Sequence, residues 1–324
     1  MHSSRPGGIA LPIRDRAVGT LIHDSVSFLR DDTPLALPYG GFVTRVSPIQ
    51  RAIVVVLDGL RPDAIPRFGL HHAAALARRG SSTMLGRTVE PSVTAAAMAS
   101  LLTGASPERH GLQDTRFRIP RPGGVLHPLP RLLGEKSLPS SAFLARMPIL
   151  FSGIAQRMAT HLGFSQTRFS GLGASDILTA ATATLRDQKR GLILLHWPDG
   201  DAAGHAHGWM SDGYADAARG MDRELGRLVA TLDLEDPATL LIALADHGGG
   251  GTRADHHDSA HPLNRTIPIM LAGGAVRRGD LGAGSSLLDE PATVCWALGI
   301  AQPESYAGRP LLHAIPGVVE AVAA

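Results

Sequence analysis

This 324-residue chain has almost no cysteine and no long apolar run. Cys295 is its only cysteine, so neither an intramolecular disulfide nor a cluster of thiolate metal ligands can form. No run approaches the roughly 18 apolar residues that a membrane helix needs. The N-terminus, MHSSRPGGIALPIRD, lacks the basic patch and apolar core of a signal peptide. These absences predict a cytoplasmic protein without a membrane partner.

Lysine and aromatic residues are also scarce. Only Lys136 and Lys189 are lysines among 31 basic residues, the net charge is +2, and the basic residues are scattered along the chain. A nucleic-acid polymer is therefore not a predicted partner, because it would require clustered positive charge. Aromatic residues make up 4% of the chain, so no pair suited to stack on a nucleotide base can be identified. The 44% hydrophobic content is that of a globular chain able to bury a large core.

What the chain does contain is a regular alternation of apolar strands and helices. Residues 52–57 (AIVVVL) are uninterruptedly apolar, which is typical of a strand buried on both faces of a parallel sheet. Further strands are predicted at 81–89, 168–172, 191–197, from 239 onward and at 266–274, and helices at 71–79, 94–103, 147–162, 174–187, 214–232 and 291–298. The predicted fold class is α/β, with a mostly parallel central sheet and helices on both faces.

The predicted domain organisation is a short extension followed by one catalytic domain. Residues 1–49 carry several Pro and Gly and are expected to pack on the core, which residues 50–324 form. Within the core, residues 107–142 are rich in Pro, Gly and Arg, which predicts a long surface loop. Three arginines of this loop, Arg116, Arg118 and Arg121, either bind a second anionic group of a substrate or are simply solvated.

Oxygen and nitrogen ligands follow several of the predicted strands. Asp58 ends strand 52–57, and Asp246 and His247 end the strand that begins at Thr239. Ligands of open α/β sheets bind beyond the carboxyl ends of the strands, although Asp-Gly also simply makes a turn. The other candidates are Asp199, Asp201, His205 and His207 after strand 191–197, and Asp255, His256 and His257 further on.

Thr94 stands at the start of an alanine-rich helical run that ends at Gly104. A threonine in this position is commonly an N-cap or first-turn residue. The backbone N–H groups of a helix start also bind phosphate oxygens. A functional role for Thr94 therefore depends on whether this helix starts beside Asp58.

Carboxylate and imidazole groups without sulfur suit Zn²⁺ or Mn²⁺, and about six or seven such groups suffice for two ions. Asp201 and His205 are four residues apart, so one helical turn would place both on one ion. The sequence therefore predicts a two-ion site.

Taken together, and in their order along the chain, the segments that carry these candidate residues resemble those of the alkaline phosphatase superfamily. Within it they are most similar to the type I phosphodiesterase/nucleotide pyrophosphatase branch, which includes phosphonoacetate hydrolase. The motifs that carry the resemblance lie between Arg51 and Leu311 and include VVLDGLRPD, PSVT, SLLTGASPERHGL, PDGDAAGHAHG, ADHG and HDSAHPLNRTIPIM. The resemblance implies an alkaline phosphatase-like fold, two divalent ions that are zinc or manganese, and a small phosphorylated substrate.

The resemblance also implies a role for each candidate residue. The implied ligands of one ion are Asp58, Thr94, Asp246 and His247, and those of the other are Asp201, His205 and a later histidine. The spacing back from Thr266 favours His257 over His256 and His261 as that histidine. Thr94 is the implied nucleophile. Ala97 stands where family members place an asparagine that binds the phosphoryl oxygen, so specificity for nucleotides is not implied.

The reaction implied by the resemblance is hydrolysis of a phosphodiester or phosphonate-type substrate through a phosphothreonine intermediate. A phosphomonoesterase or a sulfate-ester hydrolase on the same site is the alternative, because a two-ion clamp accepts any tetrahedral centre. No CxPxR-type sequence, which an arylsulfatase requires, surrounds Thr94. A non-catalytic metal-binding protein is the alternative from another class, but every implied ligand is present.

Overall fold

The central element of the fold is strand β3 (Arg51–Leu57), in which every residue is buried. The computed structural model describes residues 35–36, 42–113, 122–146 and 149–322. In it, β3 pairs in parallel with β7 (Gly191–Trp197) on one side and with β8 (Thr239–Leu244) on the other. The unbroken apolar sequence of β3 is thus explained, since neighbouring strands flank it on both edges and packing covers both of its faces.

Strand β3 belongs to an eight-stranded sheet. The other strands of this sheet are β4 (Ser81–Arg87), β5 (Ser140–Leu144), β6 (Gln166–Phe169), β9 (Thr266–Ala272) and β10 (Gly279–Asp280). Their order is β10-β4-β9-β8-β3-β7-β5-β6. Strand β9 runs antiparallel to β8 and β4, and the other neighbouring pairs are parallel. The predicted α/β class with a mostly parallel sheet is confirmed.

Helices alternate with these strands along the chain. They are α1 (Ala64–Arg67), α2 (His71–Arg79), α3 (Thr94–Thr103), α4 (Pro107–His110), α5 (Leu129–Glu135), α6 (Ile149–Leu162), α7 (Ala174–Asp187), α8 (Asp199–His207), α9 (Asp212–Thr231), α10 (Pro262–Arg265) and α11 (Asp289–Ala297). The six helices predicted from the sequence are confirmed, with small shifts at their ends. The predicted start of α6 at Met147 lies outside the described residues. Cys295 is buried in α11, as its apolar surroundings predict.

The surface loop predicted for residues 107–142 is wrong in part. This segment contains α4, α5 and the first residues of β5. Its prolines suggested a loop, but Pro107 and Pro130 occupy the first turns of their helices, where no intrahelical N–H is needed. Leu129 and Leu133 then anchor α5 in the core. The arginines at 116, 118 and 121 lie outside the described residues.

The described chain divides into two units. The larger is Ser47–Pro316, which holds the eight-stranded sheet, and the smaller combines the described residues 35–36 and 42–46 with 317–322. In the smaller unit, β1 (Leu35–Ala36), β2 (Phe42–Val46) and β11 (Val318–Val322) form an antiparallel sheet. Most of the extension predicted for residues 1–49 lies outside the described residues. Within the described ranges, no helix combines the length and the apolar character needed to cross a membrane.

Candidate metal centre

The register of the three central strands brings three polar side chains together. Val56 of β3 pairs with His196 of β7 and with Leu244 of β8. Alternate residues of a strand face the same side of a sheet. Asp58 and Asp246 each lie two residues beyond this paired row, so both are expected on the same face as His196. The ligand atoms of these three residues indeed lie within 4.8 Å of one another.

His196 was not among the candidates identified from the sequence. Its Nε2 lies 3.2 Å from Asp58 Oδ2, and its side chain is 12% exposed. The available signal was an imidazole in the otherwise apolar strand GLILLHW. That signal becomes informative only when the register with β3 is known.

His247 is the centre of the first group of predicted ligands. Its Nε2 lies 3.1 Å from Thr94 Oγ1, 3.3 Å from Asp58 Oδ1 and 3.5 Å from Asp246 Oδ2. Asp58, Asp246 and His247 are almost wholly buried. The structure therefore brings together all four residues that were predicted to surround one ion.

Thr94 is the first residue of α3, and its hydroxyl is not used as a helix cap. The N-cap position belongs to Val93, which makes no side-chain capping bond. The Thr94 hydroxyl instead faces the imidazole of His247. The helix that carries it thus starts beside Asp58, Asp246 and His247, which was the condition for a functional role.

A second group adjoins the first. Asp201 Oδ1 lies 3.3 Å from His205 Nε2 and 3.4 Å from His257 Nε2. Asp201 and His205 are one turn apart on α8, as their spacing predicts. The two groups are in contact, because the His257 ring stacks on the His247 ring with centroids 3.9 Å apart.

Of the three candidate histidines for the last ligand, the structure brings His257 to this group. His256 Nδ1 instead pairs with Asp255 at 3.0 Å. The His261 side chain accepts a hydrogen bond from Leu263 N and caps α10. His207 is exposed, and no candidate ion group includes it. Asp199 accepts a hydrogen bond from Ala174 N and so caps α7.

All three imidazoles of the predicted ligand set are held by backbone carbonyl groups. His205 Nδ1 lies 2.9 Å from Asp255 O, His247 Nδ1 2.8 Å from Gly248 O, and His257 Nδ1 2.7 Å from Ser92 O. A carbonyl can only accept, so each Nδ1 carries a proton, and in a neutral imidazole Nε2 then presents a lone pair. The Nε2 atoms of His205 and His257 then face each other at 3.2 Å. Two lone pairs at this distance repel unless a cation lies between them.

The carboxylates are likewise arranged for cations. Asp58 Oδ1, Asp201 Oδ1 and Asp246 Oδ2 are buried without hydrogen-bond partners in the described chain. The only basic side chains paired with these carboxylates there are histidines. Burial, followed by repulsion from Asp246 and Asp201, raises the pKa of Asp58 well above its ordinary value. Burial lowers the pKa of His257, which favours the neutral, ligating form. The donors present therefore fit divalent cations.

Backbone contacts fix the two groups relative to each other. Asp201 N donates to Asp58 O at 3.0 Å. Gly59, between β3 and this contact, has φ +70°, and a Cβ there would lie 2.8 Å from Asp201 N. The Gly59 carbonyl accepts from Trp209 Nε1 and from the Tyr214 hydroxyl, both at 2.9 Å. This close approach explains why glycine follows the strand-end aspartate.

The chain is similar to known proteins both in sequence and in fold. The sequence model of the family described as type I phosphodiesterase / nucleotide pyrophosphatase matches residues 52–128 and 148–293. A 2,3-bisphosphoglycerate-independent phosphoglycerate mutase of Halobacterium salinarum is 34% identical over 144 residues, which are 41% of this chain and 27% of that protein. The match thus spans about a quarter of the length of this curated relative.

Two solved structures show the same fold. The lipoteichoic acid synthase LtaP of Listeria monocytogenes is 16% identical with a TM-score of 0.61, covering 90% of this chain and 82% of that one. An inactive threonine-to-alanine variant of murine ectonucleotide pyrophosphatase / phosphodiesterase 5, in complex with AMP, is 16% identical with a TM-score of 0.58. That comparison covers 78% of this chain and 96% of the murine chain.

Proposed function

Because the chain belongs to the type I phosphodiesterase/nucleotide pyrophosphatase family, within the alkaline phosphatase superfamily, we propose that it hydrolyses phosphate esters with Thr94 as the nucleophile. The proposed substrate is a small phosphodiester or phosphonate. The family and the donor set both support a metal-dependent reaction on an ester bond.

The proposed cofactor is a pair of divalent ions, zinc in the first instance and manganese as the alternative. The residues that would hold one ion are Asp58, Thr94, Asp246 and His247, and those that would hold the other are Asp201, His205 and His257. The ions would supply positive charge that stabilises the attacking and leaving oxygens of an in-line displacement. Three carboxylates and an ionised Thr94 balance the four positive charges of two dications, so the site is close to neutral before an anionic substrate enters.

The proposed chemistry at Thr94 is a double displacement. On a phosphodiester, the Thr94 oxygen loses its proton and forms a bond to phosphorus while the bond from phosphorus to the leaving oxygen breaks, and the departing alcohol takes up a proton. On phosphonoacetate, the same attack breaks the phosphorus–carbon bond, and the departing carbon takes up the proton. Water then attacks the phosphothreonine, which regenerates the Thr94 hydroxyl and releases a monoester from a diester substrate. The start of α3 supports this step, because the free backbone N–H groups at the N-terminus of a helix stabilise phosphate oxygens.

The observation that carries the proposal is the position of the Thr94 hydroxyl. It lies 3.1 Å from His247 Nε2 and beside Asp58 and Asp246, each of which has one buried carboxylate oxygen without a hydrogen-bond partner in the described structure. A threonine at a helix start with no ligating neighbours would be an ordinary structural residue.

The test compares Thr94→Ala with Thr94→Ser on bis-p-nitrophenyl phosphate. We expect the alanine variant to lose at least about 1,000-fold in kcat, the scale seen when a catalytic nucleophile is removed. The serine variant keeps a hydroxyl and should retain measurable turnover. Mass spectrometry of the parent, acid-quenched during turnover, should show a p-nitrophenyl phosphoryl group on Thr94, because a diester keeps one of its ester bonds in the covalent intermediate.

Metal analysis separates the proposal from its rivals. Bound metal together with full activity in Thr94→Ala would show that Thr94 is not the nucleophile. Bound metal without turnover of any ester would favour a non-catalytic metal-binding protein. A substrate panel of a diester, a monoester, phosphonoacetate and an aryl sulfate then assigns the substrate class by the highest kcat/KM.

A further inference from the structure

His196 is a largely buried imidazole beside Asp58 that neither proposed ligand group uses. Its Nε2 lies 3.2 Å from Asp58 Oδ2, whereas the other oxygen of Asp58, Oδ1, faces His247 Nε2 at 3.3 Å. The two oxygens of one carboxylate therefore face two different imidazoles. His196 Nε2 has no well-aligned hydrogen-bond partner in the described chain. A buried donor or acceptor left in this state is costly and calls for a role.

The surroundings of His196 differ from those of the three proposed histidine ligands. In each of those three, Nδ1 contacts a backbone carbonyl oxygen. This contact fixes the proton on Nδ1 and leaves Nε2 free to bind an ion. Within the described ranges, no carbonyl accepts from His196 Nδ1. Nothing therefore keeps the proton off Nε2, and a neutral imidazole protonated on Nε2 is a hydrogen-bond donor.

Charge also argues against an additional ion held by His196, Asp58 and Asp246. Two dications are already balanced by Asp58, Asp201, Asp246 and an ionised Thr94. A third dication would add two positive charges to a buried site and gain only a neutral imidazole as a new ligand. Uncompensated charge of this kind is strongly unfavourable away from water.

We propose that His196 is a positioning residue: its Nε2, now 3.2 Å from Asp58 Oδ2, becomes the hydrogen-bond donor to that oxygen in the ion-bound protein and so turns Asp58 Oδ1 toward the ion that it shares with His247. This inference rests on the proposed two-ion site. It predicts that His196 sets the affinity of that ion, and that the ion at Asp201, His205 and His257 does not depend on it.

The test measures Zn²⁺ binding to the full chain by competition with a chromophoric chelator. His196→Leu removes the donor, and His196→Gln replaces it with an amide N–H at a similar reach. We expect two bound ions in the parent, with about 10- to 100-fold weaker binding of one of them in His196→Leu, as for other residues that orient a metal ligand. The glutamine variant should recover most of this loss. His207→Leu, which removes an exposed histidine of α8, should bind both ions like the parent.

The same titration overturns the inference in three ways. Parental affinity for both ions in His196→Leu would show that His196 positions nothing. Three ions in the parent and two in the leucine variant would make His196 a ligand instead. A parent that binds no ion would overturn the proposed function as well, whereas the first two outcomes leave that function standing. If leucine prevents folding, His196→Asn, whose shorter amide cannot span the contact, takes its place.

Discussion

Gly59 lies at a position where the site has no room for a side chain. Its φ of +70° lies in the left-handed region, where a Cβ costs about 1–2 kcal/mol. A Cβ would also lie 2.8 Å from Asp201 N and 2.9 Å from Asp201 Cα, so the start of α8 would have to move. We expect Gly59→Ala to lower the free energy of unfolding by about 1–3 kcal/mol and to weaken the ion at Asp201. Urea unfolding and zinc content measure the two effects.

Gly134→Ala is the matched control for this substitution. Gly134 is exposed on α5, and no heavy atom lies within 4 Å of the place that a Cβ would take. Alanine there should stabilise the protein slightly, by about 0.5–1 kcal/mol, because it restricts the unfolded chain. Equal effects of the two substitutions would contradict the importance of the Gly59 contact.

Residues at strand ends could be found from the sequence, whereas residues within strands could not. Asp58 and Asp246 each follow an apolar strand, so one-dimensional pattern alone marks them as candidates. His196 stands inside a strand, where a polar residue has many ordinary explanations. It becomes a candidate only through its pairing with Val56, and this pairing is a long-range property. The Nδ1 contacts that orient His205 and His257 are equally invisible in the sequence, since their acceptors are backbone atoms of distant residues.

At the scale of elements, the long apolar strands β3, β7, β8 and β9 were predicted, whereas β5 and the short helices were not. Helix α5 was missed because its prolines resemble those of a loop, although they lie in its first turn. The antiparallel direction of β9 was also not predicted. Direction depends on the path of the connecting chain, and the apolar pattern of a buried strand is the same in either direction.

Helix α11 contains a buried carboxyl group that should make stability depend on pH. Glu290 is 5% exposed, and burial raises its pKa from 4.5 to about 8. Between these values the folded protein holds a proton that the unfolded chain has lost, so stability decreases as pH rises. Glu290→Gln removes this dependence. We expect the unfolding free energy of the variant, relative to the parent, to rise with pH by up to about 1.4 kcal/mol per unit.

Urea unfolding at pH 5, 6.5 and 8, with a chelator present, measures the effect of Glu290. The comparison between variant and parent cancels the titration of every other group. Glu304→Gln, at an exposed glutamate, is the control and should give a difference that does not change with pH. A constant difference for Glu290→Gln as well would show that this carboxyl group is ionised in the folded state.

At the scale of the whole molecule, the site joins segments that are far apart in sequence. Asp58, Thr94, Asp201 and His257 come from a strand end, the start of α3, the start of α8 and the chain before α10. Ions that bind these residues together bind the folded chain far better than the unfolded one. Zn²⁺ should therefore raise the melting temperature of the chelator-treated protein, by an amount that grows with the free ion concentration.

The size of this stabilisation should increase with pH. Because the pKa of Asp58 is raised, the contribution of this residue to the stability of the ion-free protein is fully present below the ordinary aspartate pKa and is lost as pH rises through the raised pKa. Bound Zn²⁺ compensates the Asp58 carboxylate, while at lower pH protons compete with it. We expect a larger Zn²⁺-induced increase in melting temperature at pH 8 than at pH 6. Asp58→Asn cannot ionise, so its Zn²⁺-induced increase in melting temperature should be smaller and should change less between the two pH values. An equal increase at pH 6 and pH 8 in the parent would mean that Asp58 is not protonated in the ion-free protein.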